Sequence, residues 1–374
     1  MRKINYSLLA QKLDSRLTQD IEENRLFGAV LHVSQDGCTV YQKAMGAGIS
    51  EDTVFRIASM TKPITAVAAM ILVERGLIRL DDPVEQYIPE FCDMRIATVN
   101  DKGDLLDAGA AIGKPTIRNI LSHTSGIGSG VVGAAQIGRM TAQDRQSVSD
   151  TVAYFADQGL SFHPGAKQEY SGFPAYDVLT AIIEKQTGED YSRFLQRELF
   201  SKCDMIDTVF SPNCSQWDRL AAMHDRVNGK NAVADMPAEC IFERIPCSHN
   251  LGGAGLVSTI SDYAHFAQML LQKGCYGNER ILSEESVEEI SKPQVSATIQ
   301  PGLQQWGLGV RVITSKDYGT LPVGAYGWSG AYGPHFWVDP ENRITAIYMK
   351  NSRYDPGAGS VTGYHFEEDV YSAI

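Results

Sequence analysis

Apolar and polar positions along the first 28 residues, MRKINYSLLAQKLDSRLTQDIEENRLFG, follow the pattern of an amphipathic helix without the long apolar core of a signal peptide. Two short strand-forming runs come next, Ala29 to Val33 and Thr39 to Lys43. The connection between them, Ser34 to Cys38, carries an Asp36-Gly37 turn signal, so the pair predicts a hairpin. An apolar run from Ile64 to Val73 then predicts a helix. Its start is fixed near Ser59, because Pro63 is tolerated only in a first turn, where the missing N–H had no intrahelical partner anyway. Helical periodicity returns in Ala175 to Thr187, stopped by Gly188, and in Tyr191 to Leu199. It returns again in Ser261 to Lys273, where Ser261 and Asp262 supply a start and Gly274 a stop. The last third turns β-rich in Gly307 to Ile313, His335 to Val338 and Ile344 to Met349, which are separated by turn residues. Two glycine-rich stretches, Gly126 to Gly138 and Asp355 to Gly363, read as mobile loops.

Strands near both chain ends with helices between them predict an α+β fold. One antiparallel sheet, built from both ends and flanked by helices, is expected to pack against a mainly helical lobe. The expected division is residues 1–90 with 250–374 as one lobe and 91–249 as the other, with a ligand cleft between them.

Composition narrows the function. With 374 residues, 43 % hydrophobic and 21 % charged, the chain is that of a soluble globular protein large enough for two lobes. A net charge of −12 with scattered basic residues opposes binding to nucleic acid or to anionic membranes, and no segment reaches the ~18 apolar residues of a membrane span. Seven cysteines, odd in number and widely scattered, imply reduced thiols and a cytoplasmic setting. Cys240, Cys247 and His249 match no zinc spacing, so neither a metal nor a cofactor is expected.

Ser59 and Lys62 stand three residues apart at the predicted helix start. Both side chains then share one helix face, close enough for a neutral lysine amine to take the serine proton. A helix start also leaves the Ser59 N–H free to point at a ligand. A capping serine beside a solvated lysine has the same spacing, and the choice between them rests on segments downstream. In HPGAKQEYSGFPAYDVL, Tyr170 lies on a loop before a helix. Near Lys62 a phenol can serve as general acid or base; otherwise it is a packed aromatic. In YGWSGAYGPHFWVDP, Trp328, Ser329 and Gly330 are placed at a strand start, where small residues let the N–H of Ala331 approach a substrate carbonyl. The bland reading of that segment is a turn with a packed tryptophan.

Taken in order, and with IRNILSHTSGI (Ile117 to Ile127) and GGAGLVSTISDYAHFAQMLL (Gly252 to Leu271), these elements resemble the serine β-lactamase-like superfamily. That superfamily includes class C β-lactamases, D,D-peptidases of the same fold and family VIII carboxylesterases. The resemblance runs from about Phe27 to Met349 and implies a β-lactamase/transpeptidase-like fold. It implies Ser59 as nucleophile, Lys62 and Tyr170 as the proton-transfer pair, and the N–H groups of Ser59 and Ala331 as oxyanion hole. It also implies that Gly172, Trp328, Ser329 and Gly330 border the substrate, and that His123 and His335 are structural.

Two departures bear on the substrate. The β-lactamases of this fold end the tyrosine motif in asparagine, where this chain has Gly172, and begin the third motif with lysine, where it has Trp328. Loss of one charge-assisted contact weakens binding of an anionic substrate by about 10- to 100-fold, and W-x-G at this point resembles the family VIII esterases. The expected function is therefore a cytoplasmic serine hydrolase that cleaves small carboxylic esters through an acyl-enzyme, its partner a small-molecule acyl substrate. A β-lactamase, a D-amino-acid peptidase or amidase, and an acyltransferase are alternatives on the same residues. A non-catalytic ligand-binding protein is disfavoured by the intact Ser59, Lys62 and Tyr170.

Overall fold

The structure, a computed structural model, describes residues 2–234 and 249–374, so Cys240 and Cys247 lie outside the described residues. Strands β1 (Gly28–Gln35) and β2 (Cys38–Gly46) form the predicted N-terminal hairpin. Asp36 and Gly37 both have positive φ, 54° and 79°, which is why an Asp-Gly pair closes this two-residue turn. Five strands come from the last quarter of the chain: β3 (Gln304–Trp306), β4 (Arg311–Ile313), β5 (Tyr326–Ser329), β6 (His335–Asp339) and β7 (Ile344–Met349). Together they make one seven-stranded sheet in the order β3-β4-β5-β6-β7-β1-β2. The two chain ends meet where β1 pairs antiparallel with β7, Leu31 opposite Tyr348 and Val33 opposite Ala346. Helices α1 (Tyr6–Glu22), α2 (Thr61–Glu74), α3 (Pro174–Thr187), α4 (Ile260–Leu271) and α5 (Val361–Tyr371) pack around this frame.

Both faces of the sheet are covered, so every residue of β1, β6 and β7 is buried. Side chains alternate between the faces. On one face Leu31, Val33, Trp337 and Ala346 pack with Leu9, Leu13 and Leu17 of α1 and with Phe366 and Val370 of α5. On the other, Val30, Phe336, Val338 and Ile347 belong to the larger core, which contains Phe266 and Leu270 of α4, most of α2, and Tyr176, Leu179 and Ile183 of α3. Each large apolar side chain so buried contributes about 1.5 to 3 kcal/mol, which outweighs the weak local preferences of short strands such as β3. No helix among the described residues is long and apolar enough to cross a membrane.

Several local expectations change. The run 307–313 is the turn and second strand of a hairpin, β3 to β4, with Gly307 N–H donating to Val310 O at 2.9 Å. Trp328 and Ser329 end β5 rather than begin it, because the chain turns at Gly330, whose N–H donates to Pro334 O at 2.7 Å. Helix α4 starts at Ile260, one residue before the expected Ser261, since the capping side chain is that of Thr259, which accepts from Asp262 N–H. The stretch 126–138 is a mobile loop in the sequence reading, yet Gly130–Arg139 is helical, with Gly133 and Gln136 buried and Gln136 Nε2 donating to Gln158 O at 3.2 Å and Gly159 O at 3.1 Å. Likewise 355–363 runs into α5, whose first residues are held by the Asp355 carboxylate through Thr362 N–H at 3.0 Å and Thr362 Oγ1 at 2.6 Å. Two small hairpins, Arg95–Val99 with Leu105–Ala110 and His224–Val227 with Lys230–Val233, lie within the segment expected to be mainly helical.

Candidate active site

Ser59 sits in a single 3₁₀ turn, Ala58–Met60, that leads directly into α2. Pro63 falls in the first turn of that helix, as its missing donor requires. Ala58, immediately before Ser59, has φ 44°. A non-glycine residue there stores on the order of 1 to 3 kcal/mol of strain, a cost usually met only where geometry is demanding.

The next turn of helix brings Lys62 to Ser59: Nζ lies 3.1 Å from Ser59 Oγ. The lysine is fully buried, and its Nζ also donates to Gly172 O at 2.5 Å and Gly253 O at 2.8 Å. Burial pushes its pKa below the ordinary lysine value, against the opposing pull of Tyr170. Two of the three substituent directions on nitrogen are thus occupied by carbonyls that only accept. The third points at Ser59, and in the neutral amine it holds the lone pair.

Tyr170, on the loop before α3, donates its hydroxyl proton to Ser59 Oγ at 2.7 Å and accepts from Trp328 Nε1 at 3.3 Å. Indole N–H is a donor only, so the direction of the chain is set. Trp328 donates to Tyr170 and Tyr170 to Ser59, and Lys62 Nζ lies on the other side of the serine hydroxyl. The loop is clamped by His123: its carbonyl accepts from Glu169 N–H and its Nδ1 from Ser171 N–H, both at 3.1 Å, while its ring packs on Tyr170 with centroids 4.6 Å apart. Burial holds the His123 pKa well below the usual histidine value, and because Nδ1 accepts from Ser171 N–H the ring proton sits on Nε2.

Strand β4 pairs with β5 only as far as Gly327, and among the described residues no strand pairs with Trp328 and Ser329 on that side. Gly330 packs against the Ser59 turn: a Cβ there would stand 2.3 Å from the Ile57 carbonyl oxygen, so no larger residue fits without pushing the two segments apart. The exposed Ala331 follows. Among the described residues no backbone acceptor takes the N–H of Ser59 or of Ala331. Ser329 departs from expectation. Successive residues of a strand face opposite ways, and Ser329, opposite His335, points to the α5 side, where its Oγ lies 2.8 Å from His335 Nδ1. His335 Nε2 in turn lies 2.9 Å from Glu367 Oε1 on α5. The Ser329 side chain is thus anchored in the sheet's far face instead of bordering the space beside Tyr170. Gly172 offers its carbonyl to Lys62, and a Cβ built on it meets nothing within 4 Å.

Two participants went unrecognised in the sequence. Trp306, buried at the end of β3, stands edge-on to Trp328 with centroids 4.5 Å apart and lies 5.9 Å from the Tyr170 ring. A lone tryptophan in a short β run carries no signal for this. Gly253, whose carbonyl holds Lys62, was visible only as part of the GGAG stretch. His249 has its Nε2 3.2 Å from Asp177 Oδ2, both side chains buried.

A serine held between a buried lysine and a tyrosine, on a helix start beside the end of an inner strand of an antiparallel sheet, defines a serine hydrolase. The profile of the beta-lactamase family matches residues 13–367, and the chain belongs to that family. It is 28 % identical to esterase EstB of Burkholderia gladioli, over 95 % of this chain and 93 % of that protein. With protein Rv1367c of Mycobacterium tuberculosis it shares 31 % identity over 81 % of this chain and 79 % of the other. Among solved structures, EstCE1, described as a hydrolase with promiscuous acyltransferase activity, superposes with a TM-score of 0.82 at 22 % identity, covering 98 % of this chain and 99 % of that one.

Proposed function

We propose that the protein hydrolyses small, neutral carboxylic esters through an acyl-enzyme on Ser59, with Lys62 and Tyr170 as its proton-transfer pair. The observation that carries this reading is the position of Ser59 Oγ, 3.1 Å from the buried Lys62, whose pKa burial lowers, and 2.7 Å from the Tyr170 hydroxyl. Lys62 takes the serine proton as Oγ attacks the ester carbonyl, and the N–H groups of Ser59 and Ala331 receive the developing oxyanion. Tyr170 hands a proton to the departing alcohol and regains one from the water that attacks the acyl-enzyme, and Lys62 returns its proton to Ser59 Oγ as the acid leaves. The site lies in the cleft between a lobe of residues 1–90 and 250–374 and a mainly helical lobe of 91–249. A cytoplasmic setting is supported by free thiols at Cys38, Cys92, Cys203, Cys214 and Cys275.

Ester preference rests on Trp328, Trp306 and Gly172. The two indoles make an uncharged wall beside Tyr170, and Gly172 leaves room for an acyl group. The cation of β4, Arg311, is turned to Tyr318 and Glu367. A substrate carboxylate would lose hydration at this wall without gaining a cationic partner from Trp328, Trp306 or Gly172. Wild type should therefore prefer a neutral nitrophenyl ester over the same ester with a carboxylate on its leaving-group side and over a penicillin. Trp328→Lys should shift kcat/KM toward the two anions by about 10- to 100-fold, the worth of one charge-assisted contact. Faster hydrolysis of penicillin than of neutral ester by wild type would instead favour the β-lactamase or amidase alternative. Product analysis with an added alcohol separates hydrolysis from acyl transfer, the other alternative on the same residues.

The pH profile follows from Lys62. The base must be uncharged, and burial lowers its pKa. Below that pKa the amine is protonated and inactive; above it the lone pair is present. The rising limb of kcat/KM should lie below the ~10.4 of an ordinary lysine. A limb at the ordinary value would contradict the role given to burial.

A further inference from the structure

Lys350, Asn351 and Ser352 follow β7, are all buried, and have no part in the chemistry above. Each reaches a different piece of the site's frame. Asn351 Oδ1 accepts from Arg56 N–H, and Asn351 Nδ2 donates to Arg56 O, both at 3.0 Å. One side-chain amide therefore pairs with both backbone groups of Arg56, as a neighbouring strand would. Arg56 closes the two-residue strand Phe55–Arg56 and stands three positions before Ser59. The next residue, Ser352, donates its N–H to Tyr332 O at 2.9 Å, and Tyr332 follows Ala331. The Lys350 side chain lies against Gly333 in the same turn, and its ammonium binds Asp355 Oδ2 at 2.9 Å and Thr362 Oγ1 at 2.8 Å. Asn351 itself is held square by a second bond from Nδ2, to Lys350 O at 2.8 Å.

The segment 350–352 is thus a strut between two turns that are remote in sequence, the one carrying Ser59 and the one carrying Ala331. We propose that Asn351 is a positioning residue that sets the separation of the Ser59 and Ala331 N–H groups, and so the fit of the site to a tetrahedral adduct. The inference rests on the assignment of those two N–H groups as the oxyanion hole. Removing the amide deletes both side-chain bonds that hold the Arg56 backbone against the strut, and the Ser59 turn can then shift relative to Ala331. Hydrogen bonds to a developing oxyanion are sensitive to such shifts, whereas the aromatic wall that receives the ground-state substrate has no contact with Asn351.

The test uses the full chain as wild type, Asn351→Ala, Asn351→Asp and Ser59→Ala. Asn351→Asp keeps the acceptor for Arg56 N–H and the volume, but faces the Arg56 carbonyl with an oxygen in place of a donor. The measurements are kcat and KM for a neutral nitrophenyl ester, Tm, and Ki for an arylboronic acid. In the boronic acid complex a Ser59 Oγ–B bond forms and the hydroxyl proton passes to Lys62, giving a tetrahedral adduct with one oxygen in the hole. Both Asn351 variants should lose about 10- to 100-fold in kcat and weaken the boronate by a similar factor, the scale of a displaced oxyanion donor. KM should stay within ~3-fold, because ground-state contacts are intact. Wild-type kcat and Ki in either folded variant, or a rise in KM alone, overturns the role of Asn351. Full ester turnover in Ser59→Ala would instead overturn the assignment of the nucleophile, and the hole with it.

Discussion

Ser59→Ala is expected to lower ester turnover by ~10⁴-fold or more, the scale at which loss of a nucleophile removes the covalent route and leaves only binding and the oxyanion donors. A fluorophosphonate should label wild type one to one, with the adduct on the peptide that contains Ser59, and leave the variant unlabelled. The expectation is sharp because the Ser59 oxygen accepts from Tyr170 at 2.7 Å and lies 3.1 Å from Lys62 Nζ at once. An adduct on another residue, or undiminished turnover by the variant, would show that the chemistry happens elsewhere.

Lys62→Met and Tyr170→Phe should each cost ~10² to 10⁴ in kcat, the usual contribution of a positioned acid or base. The double variant should be little worse than either. In the proposed mechanism the reason is that Trp328 donates to Tyr170 and Tyr170 to Ser59, while the Lys62 amine lies against the same serine oxygen and takes its proton. Without Lys62 the serine proton has no acceptor, so Tyr170 has nothing to support. Without Tyr170 the Trp328 donor loses its partner and the leaving alcohol loses its proton source. Groups that act as one unit give such non-additive losses, and strictly multiplicative defects would mean that they work independently.

What could be read in the sequence was local. Pro63 placed the helix start and with it the pairing of Ser59 with Lys62, and Asp36-Gly37 placed the first hairpin, because both depend on neighbours within a few residues. Tyr170 needed the ordered motifs of the superfamily, since an isolated tyrosine before a helix is ordinary. Trp306 and Gly253 were invisible for the opposite reason: their partners, Trp328 and Lys62, come from distant segments, and no spacing encodes that meeting. Ser329 was misplaced because Trp328, Ser329 and Gly330 were all expected to border the substrate, whereas neighbours on a strand face opposite ways. Once β5 ends at Ser329 rather than beginning near it, Trp328 faces Tyr170 and Ser329 must face His335. Glycine content misled at 126–138, where it accompanies a packed helix rather than a free loop.

The pairing of β1 with β7 has a consequence for how the molecule comes into being. On the ribosome the hairpin of β1 and β2 emerges early, with one edge of β1 unpaired, and stays so until Ile344–Met349 has been synthesised. Such distant pairings close slowly, and an unpaired strand edge is open to association with other chains in the interval. The hydroxyl of Ser59 is present from early in synthesis, but Trp328, Gly330, Ala331 and the strut at 350–352 arrive only with the last sheet strands. Reactivity toward a phosphonate therefore reports on finished folding. In a timed translation, labelling of Ser59 should lag behind the appearance of the Ser59 peptide until the C-terminal strands have left the exit tunnel.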